Sequence, residues 1–121
     1  MKVLVVEDYE PMRRTIRSFI EDFAQSVLEC SNGAEAVAQY SEHRPDWVLM
    51  DIKMGDVDGL AATRQIVAAF PDARVVMVTS YDEQGLRDEA HLAGACGYVL
   101  KENLRELASI LSGEARSGNS L

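Results

Sequence analysis

Apolar residues along this chain fall into two alternating rhythms. Short runs at Val3–Val6, Ser26–Glu29, Trp47–Met50, Arg74–Val78 and Gly97–Leu100 read as strands. The first, third and fourth are nearly continuously apolar, the pattern of parallel strands covered on both faces. Between them the spacing changes to three and four. Met12, Ile16, Phe19, Ile20 and Phe23 mark a first helix, with Pro11 suited to its first turn. A second follows Ser31-Asn32-Gly33, where Ser or Asn suits a cap, and runs to about Tyr40. Leu60, Thr63, Ile66, Val67 and Phe70 mark a third, stopped at Pro71. Leu86, Ala90 and Ala93 mark a fourth that ends near Gly94. Leu104, Leu107, Ala108 and Leu111 mark a fifth that ends at Gly113.

Five βα units in strict alternation predict an α/β fold, a five-stranded parallel sheet doubly wound with five helices. Right-handed crossovers favour the strand order 2-1-3-4-5, the flavodoxin-like arrangement. Residues 1–112 read as one domain. Residues 113–121, small and polar, read as a flexible tail or the start of a linker.

Composition narrows the functional classes. Twelve basic against twenty acidic residues leave a formal charge of −8, which argues against nucleic-acid binding by this domain. No apolar stretch approaches a membrane span, and Glu7-Asp8 interrupts the N-terminal run too early for a signal peptide. Cys30 and Cys96 lack metal-ligand spacing and read as reduced core thiols, a single disulfide being the alternative. A cytoplasmic protein is expected.

Open α/β sheets bind ligands at the carboxyl ends of their strands, where the strand order reverses. For this order the crevice lies between strands 1 and 3. Strand 1 is followed by Glu7-Asp8, strand 3 by Asp51, strand 4 by Thr79-Ser80 and strand 5 by Lys101. Glu7 and Asp8 alone could simply complement a helix dipole. Five such groups converging on one rim point to chemistry. Two like charges ~4 Å apart repel by ~1 kcal/mol in water and ~4 kcal/mol at an effective dielectric of ~20. Three carboxylates in one crevice therefore raise each other's pKa or require a cation. Hard oxygen ligands suit Mg²⁺, and a neighbouring Lys and Thr suit a phosphoryl group. Asp51 is then the candidate nucleophile.

At these positions the sequence resembles the receiver domains of response regulators. The resemblance rests on Glu7-Asp8, Met50-Asp51-Ile52-Lys53-Met54 followed by Asp58-Gly59, on Thr79, and on Gly97-Tyr98-Val99-Leu100-Lys101. The intervals from Asp51 to Thr79 and to Lys101 are similar too, and the match covers residues 2–112. It implies a signalling phosphoacceptor that catalyses only its own phosphorylation and dephosphorylation. Asp51 takes the phosphoryl group from a histidine kinase or histidine phosphotransfer protein. Mg²⁺, with Mn²⁺ able to substitute, is held by Glu7, Asp8, Asp51 and the backbone carbonyl of Lys53. Thr79 and Lys101 meet the phosphoryl group, and Tyr98 is the switch aromatic that turns inward when Thr79 moves. Lys53 and Tyr81 flank the site and tune phosphoryl lifetime; their length predicts slow self-dephosphorylation. A homodimer on phosphorylation is a further expectation, with no partner among nucleic acids or membranes.

Local departures refine this reading. Gly55 stands where the family usually has proline, predicting a more mobile loop after strand 3. Arg13, Arg14 and Arg17 are read as a basic stripe on the exposed face of helix 1, either solvated or a contact for the phosphodonor. His43 and His91 read as solvated, and Trp47 as packing. Asp56-Val57-Asp58-Gly59 mimics the motif of haloacid-dehalogenase phosphatases and part of an EF-hand loop, yet neither context surrounds it. A nucleotide or flavin binder of the same architecture would carry a Gly/Ser/Thr-rich loop after strand 1, where this chain has Glu7-Asp8-Tyr9-Glu10. A degenerate receiver acting only as an interaction module would have lost Asp51 or Lys101. The segment Gly97-Tyr98-Val99-Leu100-Lys101 resembles the subgroup attached to helix-turn-helix output domains more than the subgroup with proline after the lysine, a site held here by Glu102.

Overall fold

The structure is a computed structural model that describes residues 1–54 and 57–113. Its elements are β1 (Lys2–Val6), α1 (Glu10–Ile20), β2 (Ser26–Cys30), α2 (Gly33–His43), β3 (Trp47–Met50), α3 (Gly59–Ala69), β4 (Val75–Thr79), α4 (Gln84–Ala93), β5 (Gly97–Leu100) and α5 (Glu106–Ser112). The five strands form one sheet in the order β2-β1-β3-β4-β5, and every pairing is parallel. The predicted architecture and strand order are those observed.

The sheet is a boundary between two apolar layers, and the alternation of side chains along each strand assigns residues to one or the other. Leu4, Val6, Val48, Met50, Val75 and Met77 pack on one face beneath residues of α2, α3 and α4, such as Ala36, Ile66 and Ala90. Val3, Val5, Trp47, Leu49, Val76 and Val78 face the other way, against Ile16 and Ile20 of α1 and Leu107 and Leu111 of α5. The central strands β3 and β4 are buried at every position, which is why their sequences are continuous apolar runs. Each fully buried Val, Leu or Ile contributes about 1.5–3 kcal/mol, so this double layer supplies most of the folding drive. Trp47 belongs to it and is stacked under the Arg74 guanidinium, 4.4 Å from the ring centroid.

Helix starts follow side-chain chemistry. Asn32 accepts the Glu35 amide at 2.9 Å to cap α2, and Asp58 accepts the Ala61 amide at 2.8 Å to cap α3. Pro11 occupies the first turn of α1. Several boundaries differ from the sequence reading. Helix α2 continues to His43 and closes on Arg44 in the left-handed conformation, φ 45°. The fifth helix starts at Glu106, because Lys101–Asn103 form a 3₁₀ turn that leaves Leu104 buried ahead of it. Strand β4 includes Thr79, which pairs in register with Leu100.

Two assignments need correction. Only Cys30 is a core thiol; Cys96 is exposed, lying in the short turn ahead of β5, and both are free. The presumed exposed stripe on α1 is not one stripe. Arg14 is solvated, but the Arg13 side chain is 17% exposed and bound to acceptors on three sides. His91 is exposed as expected, whereas His43 is half-buried and its carbonyl accepts the Lys2 ammonium at 3.0 Å. Gly55, and with it the predicted loop mobility, lies outside the described residues, as does the tail beyond Gly113. Among the described residues no helix is long and apolar enough to cross a membrane.

Candidate phosphoacceptor site

The register of the sheet sets the site. The Asp51 amide donates to the Val6 carbonyl at 3.0 Å, so β3 delivers its aspartate at the level where β1 gives way to Glu7 and Asp8. Oxygens of Glu7, Asp8 and Asp51 lie within 4.8 Å of one another. The three differ in access to solvent: Glu7 is 1% and Asp51 5% exposed, while Asp8 is open. Lys101 enters from the end of β5. Its ammonium stands 2.7 Å from Glu7 Oε1 and 3.3 Å from Asp51 Oδ2. The other Glu7 oxygen accepts the Tyr9 amide at 3.1 Å.

Charge at this rim is unbalanced. Burial pushes the Glu7 carboxyl above its usual range, with Lys101 opposing and Asp51 adding to the rise. Burial likewise raises Asp51, against the pull of Lys101. For Lys101 burial acts downward, but the two carboxylates outweigh it and raise its pKa. One ammonium thus stands against a cluster of three carboxylates and pairs with two of them, leaving two negative charges in excess when all are ionised. A divalent cation on the open Asp8 side would close that deficit. The donors are all hard carboxylate oxygens, the set that suits Mg²⁺ rather than a soft metal. The residues present fit the ion.

A glycine makes the close approach possible. The Gly59 amide donates to Ile52 O at 2.7 Å, and a Cβ built on Gly59 would sit 1.9 Å from the Asp51 carbonyl oxygen. No side chain is accommodated there, so the first turn of α3 can lie directly on the strand end that carries Asp51. Beside it, Asp58 is occupied as the α3 cap. That gives Asp58 a structural task in the motif; Asp56 lies outside the described residues.

The opposite wall belongs to β4 and the turn after it. Thr79 is fully buried, and its Oγ1 accepts the Tyr81 amide at 3.3 Å. The Tyr81 carbonyl in turn accepts the Tyr98 hydroxyl at 2.6 Å. Tyr98 is 7% exposed, so its ring is turned inward, under the Arg87 guanidinium at 4.5 Å. Arg87 is held by Asp82 at 2.7 Å. Burial raises the Tyr98 hydroxyl pKa, with Arg87 opposing. The two expected lifetime residues meet each other: the exposed Lys53 ammonium lies 4.9 Å from the centroid of the Tyr81 ring, which is 41% exposed.

Of the residues assigned to the site by sequence, Glu7, Asp8, Asp51 and Lys101 are thus brought together directly, while Thr79, Tyr98, Tyr81 and Lys53 are joined through residue 81. Arg13 and Arg87 were not anticipated in their observed roles. The signal for Arg13 was its place about one turn into the helix that follows the acidic pair, which turns a residue back toward the strand end.

The profile of the response regulator receiver domain family matches residues 3–112. The chain belongs to that family. Among similar receiver proteins, the chemotaxis protein CheY of Listeria monocytogenes is 39% identical over 102 residues, covering 84% of this chain and 86% of that protein. The response regulator GacA of Pseudomonas syringae pv. syringae is also 39% identical, over 103 residues, but the match spans 84% of this chain and 48% of that protein. The chain thus corresponds to nearly the whole of one relative and to about half of the other. A two-component response regulator of the LuxR family from Aurantimonas sp. SI85-9A1 superposes with a TM-score of 0.86 at 30% identity, over 93% of this chain and 82% of that one. Receiver domains are the phosphoaccepting signalling modules of two-component systems, and this chain is one of them by sequence and by fold.

Proposed function

We propose that Asp51 is the phosphoacceptor of this receiver and that its reaction depends on Mg²⁺ held by Glu7, Asp8, Asp51 and the Lys53 carbonyl. The observation that carries this reading is the charge deficit at the rim: three carboxylates around one ammonium, with the open side at Asp8. When bound, the ion neutralises the carboxylates and offsets charge on the phosphoryl oxygens. The remaining work falls to the chain. An Asp51 oxygen attacks the phosphorus of a phosphohistidine on a histidine kinase or phosphotransfer protein, forming a P–O bond as the P–N bond breaks. The leaving imidazole keeps the electron pair of that bond and takes up a proton. Lys101, already within reach of Asp51, pairs with the incoming phosphoryl oxygens, and Thr79 donates its hydroxyl to another.

The output follows from the Thr79–Tyr81–Tyr98 series. If the Thr79 hydroxyl turns to the phosphoryl group, the Tyr81 amide loses its acceptor, and the carbonyl of the same residue anchors Tyr98. This reading couples phosphorylation to the position of Tyr98 through a single residue. The stacked Lys53 and Tyr81 side chains cover one approach to Asp51 and restrict a hydrolytic water. The partner chemistry carries with it a cytoplasmic location, and the charge of −8 argues against nucleic-acid binding by this domain.

The test is phosphorylation by acetyl phosphate with Mg²⁺, followed by intact-mass measurement. Wild-type protein gains one phosphoryl group, Asp51→Asn gains none, and a chelator abolishes the gain. An unphosphorylated wild type, or an equal gain on Asp51→Asn, overturns the assignment.

A further inference from the structure

Arg13 lies outside the phosphoacceptor machinery, yet among the described residues its guanidinium is the most extensively anchored. Its Nη1 donates to the backbone carbonyl of Glu7 at 2.7 Å. Its Nε donates to Glu29 Oε1 on β2 at 3.1 Å, and its Nη2 stands 3.9 Å from Glu10. Glu29 is itself held from the other side by Arg17, whose Nη1 reaches Oε2 at 2.5 Å. The guanidinium is therefore fixed in place before it meets Glu7.

The carbonyl it binds belongs to the peptide group joining Glu7 to Asp8. Up to that point the sheet controls the backbone: the Val6 carbonyl accepts the Asp51 amide, and the Glu7 amide donates to Cys30 O at 3.1 Å. Beyond it, strand pairing stops and α1 has not begun. The orientation of this one peptide decides where the Asp8 side chain departs relative to Glu7. A charge-assisted hydrogen bond from a planar, doubly anchored donor is well suited to hold it.

We propose that Arg13 is a positioning residue: by clamping the Glu7–Asp8 peptide it presets the two carboxylates for the divalent cation. The clamp reaches from β2 through Glu29, so an edge strand with no residue in the site helps shape it. This inference rests on the Mg²⁺ reading above. Partners that orient metal ligands cost about 10–100-fold in metal affinity when removed.

Two measurements on the intact chain test it, each comparing wild type with Arg13→Ala, Arg13→Lys and Arg17→Ala. Arg17→Ala is the control, because it removes an ion pair to the same Glu29 but makes no contact with the Glu7 carbonyl. Isothermal titration with MgCl₂ should give Arg13→Ala an affinity about 10-fold weaker, with partial recovery in Arg13→Lys and a near wild-type value in Arg17→Ala. Amide hydrogen exchange at Tyr9, whose amide is held by the Glu7 carboxylate at 3.1 Å, read by NMR in metal-free buffer, should accelerate in Arg13→Ala and not in Arg17→Ala. Unchanged Mg²⁺ affinity in Arg13→Ala, or equal losses in Arg13→Ala and Arg17→Ala, overturns the proposal. A wild type that takes up no Mg²⁺ overturns the metal reading instead, and the Tyr9 exchange then decides the clamp on its own.

Discussion

Gly59→Ala isolates the tightest packing constraint at the site. The added methyl would begin 1.9 Å from the Asp51 carbonyl oxygen and 2.8 Å from its carbon, against backbone that cannot rotate away. Contacts below 3.0 Å are not sustained by real Cβ atoms, so α3 and the end of β3 must separate by about 1.1 Å. Two costs follow. Forcing an extra carbon into packed structure typically costs about 1–3 kcal/mol, and the rigid neighbour places this case near 3 kcal/mol. For a domain of this size that lowers Tm on the order of 10 °C. A displacement of about 1 Å at a reacting group also costs on the order of 10²-fold in rate. Thermal unfolding by circular dichroism reads the first effect, and the initial rate of phosphorylation by acetyl phosphate reads the second. Gly85→Ala is the matched control, since nothing lies within 4 Å of its added carbon and it sits in helix α4. It should be neutral or stabilise by up to about 1 kcal/mol. A Gly59→Ala protein with wild-type Tm and rate would refute the close-approach argument.

Other perturbations probe the lid and the charge balance. Tyr81→Ala removes the ring over which Lys53 sits while leaving both backbone contacts of residue 81, so loss of labelled phosphoryl should quicken several-fold at unchanged phosphorylation rate; an unaltered decay would sink the steric account of lifetime. In metal-free buffer, stability should rise as pH is lowered from above the raised Glu7 and Asp51 values toward 4.5. Glu7 and Asp51 have folded-state pKa values above their ordinary 4.5 and 3.8, so the folded state takes up protons before the unfolded one. The contribution of such groups is fully present below the unfolded values and lost as pH rises through the raised ones. Glu7→Gln should flatten that dependence, and a Tm that falls steadily on acidification over this window would contradict it.

Much of this was legible in the chain. Continuous apolar runs at Val3–Val6 and Trp47–Met50 declare buried parallel strands, because only a strand covered on both faces tolerates them. Glu7, Asp8, Asp51, Thr79 and Lys101 were legible because a parallel sheet delivers every strand end to one rim. Where sequence reading failed, the cause was tertiary. Arg13 has the composition of a solvated helix residue, and only the position of Glu29 on β2 makes it an anchor. Leu104 fits a helical period but lies ahead of the helix, since Lys101–Asn103 tighten into a 3₁₀ turn. Cys96 reads as apolar, but its place in the short turn before β5 leaves it exposed.

The double attachment of residue 81 separates two properties of a signal. Its links to Thr79 and Tyr98 are made by its amide and its carbonyl, which every amino acid except proline supplies in full. Its contact with Lys53 is made by the ring, which depends on tyrosine. On the proposed reading, signal duration would drift through ordinary substitutions at this position while the way the signal is read stays the same. Timing would then be an evolvable parameter, with readout held by the main chain.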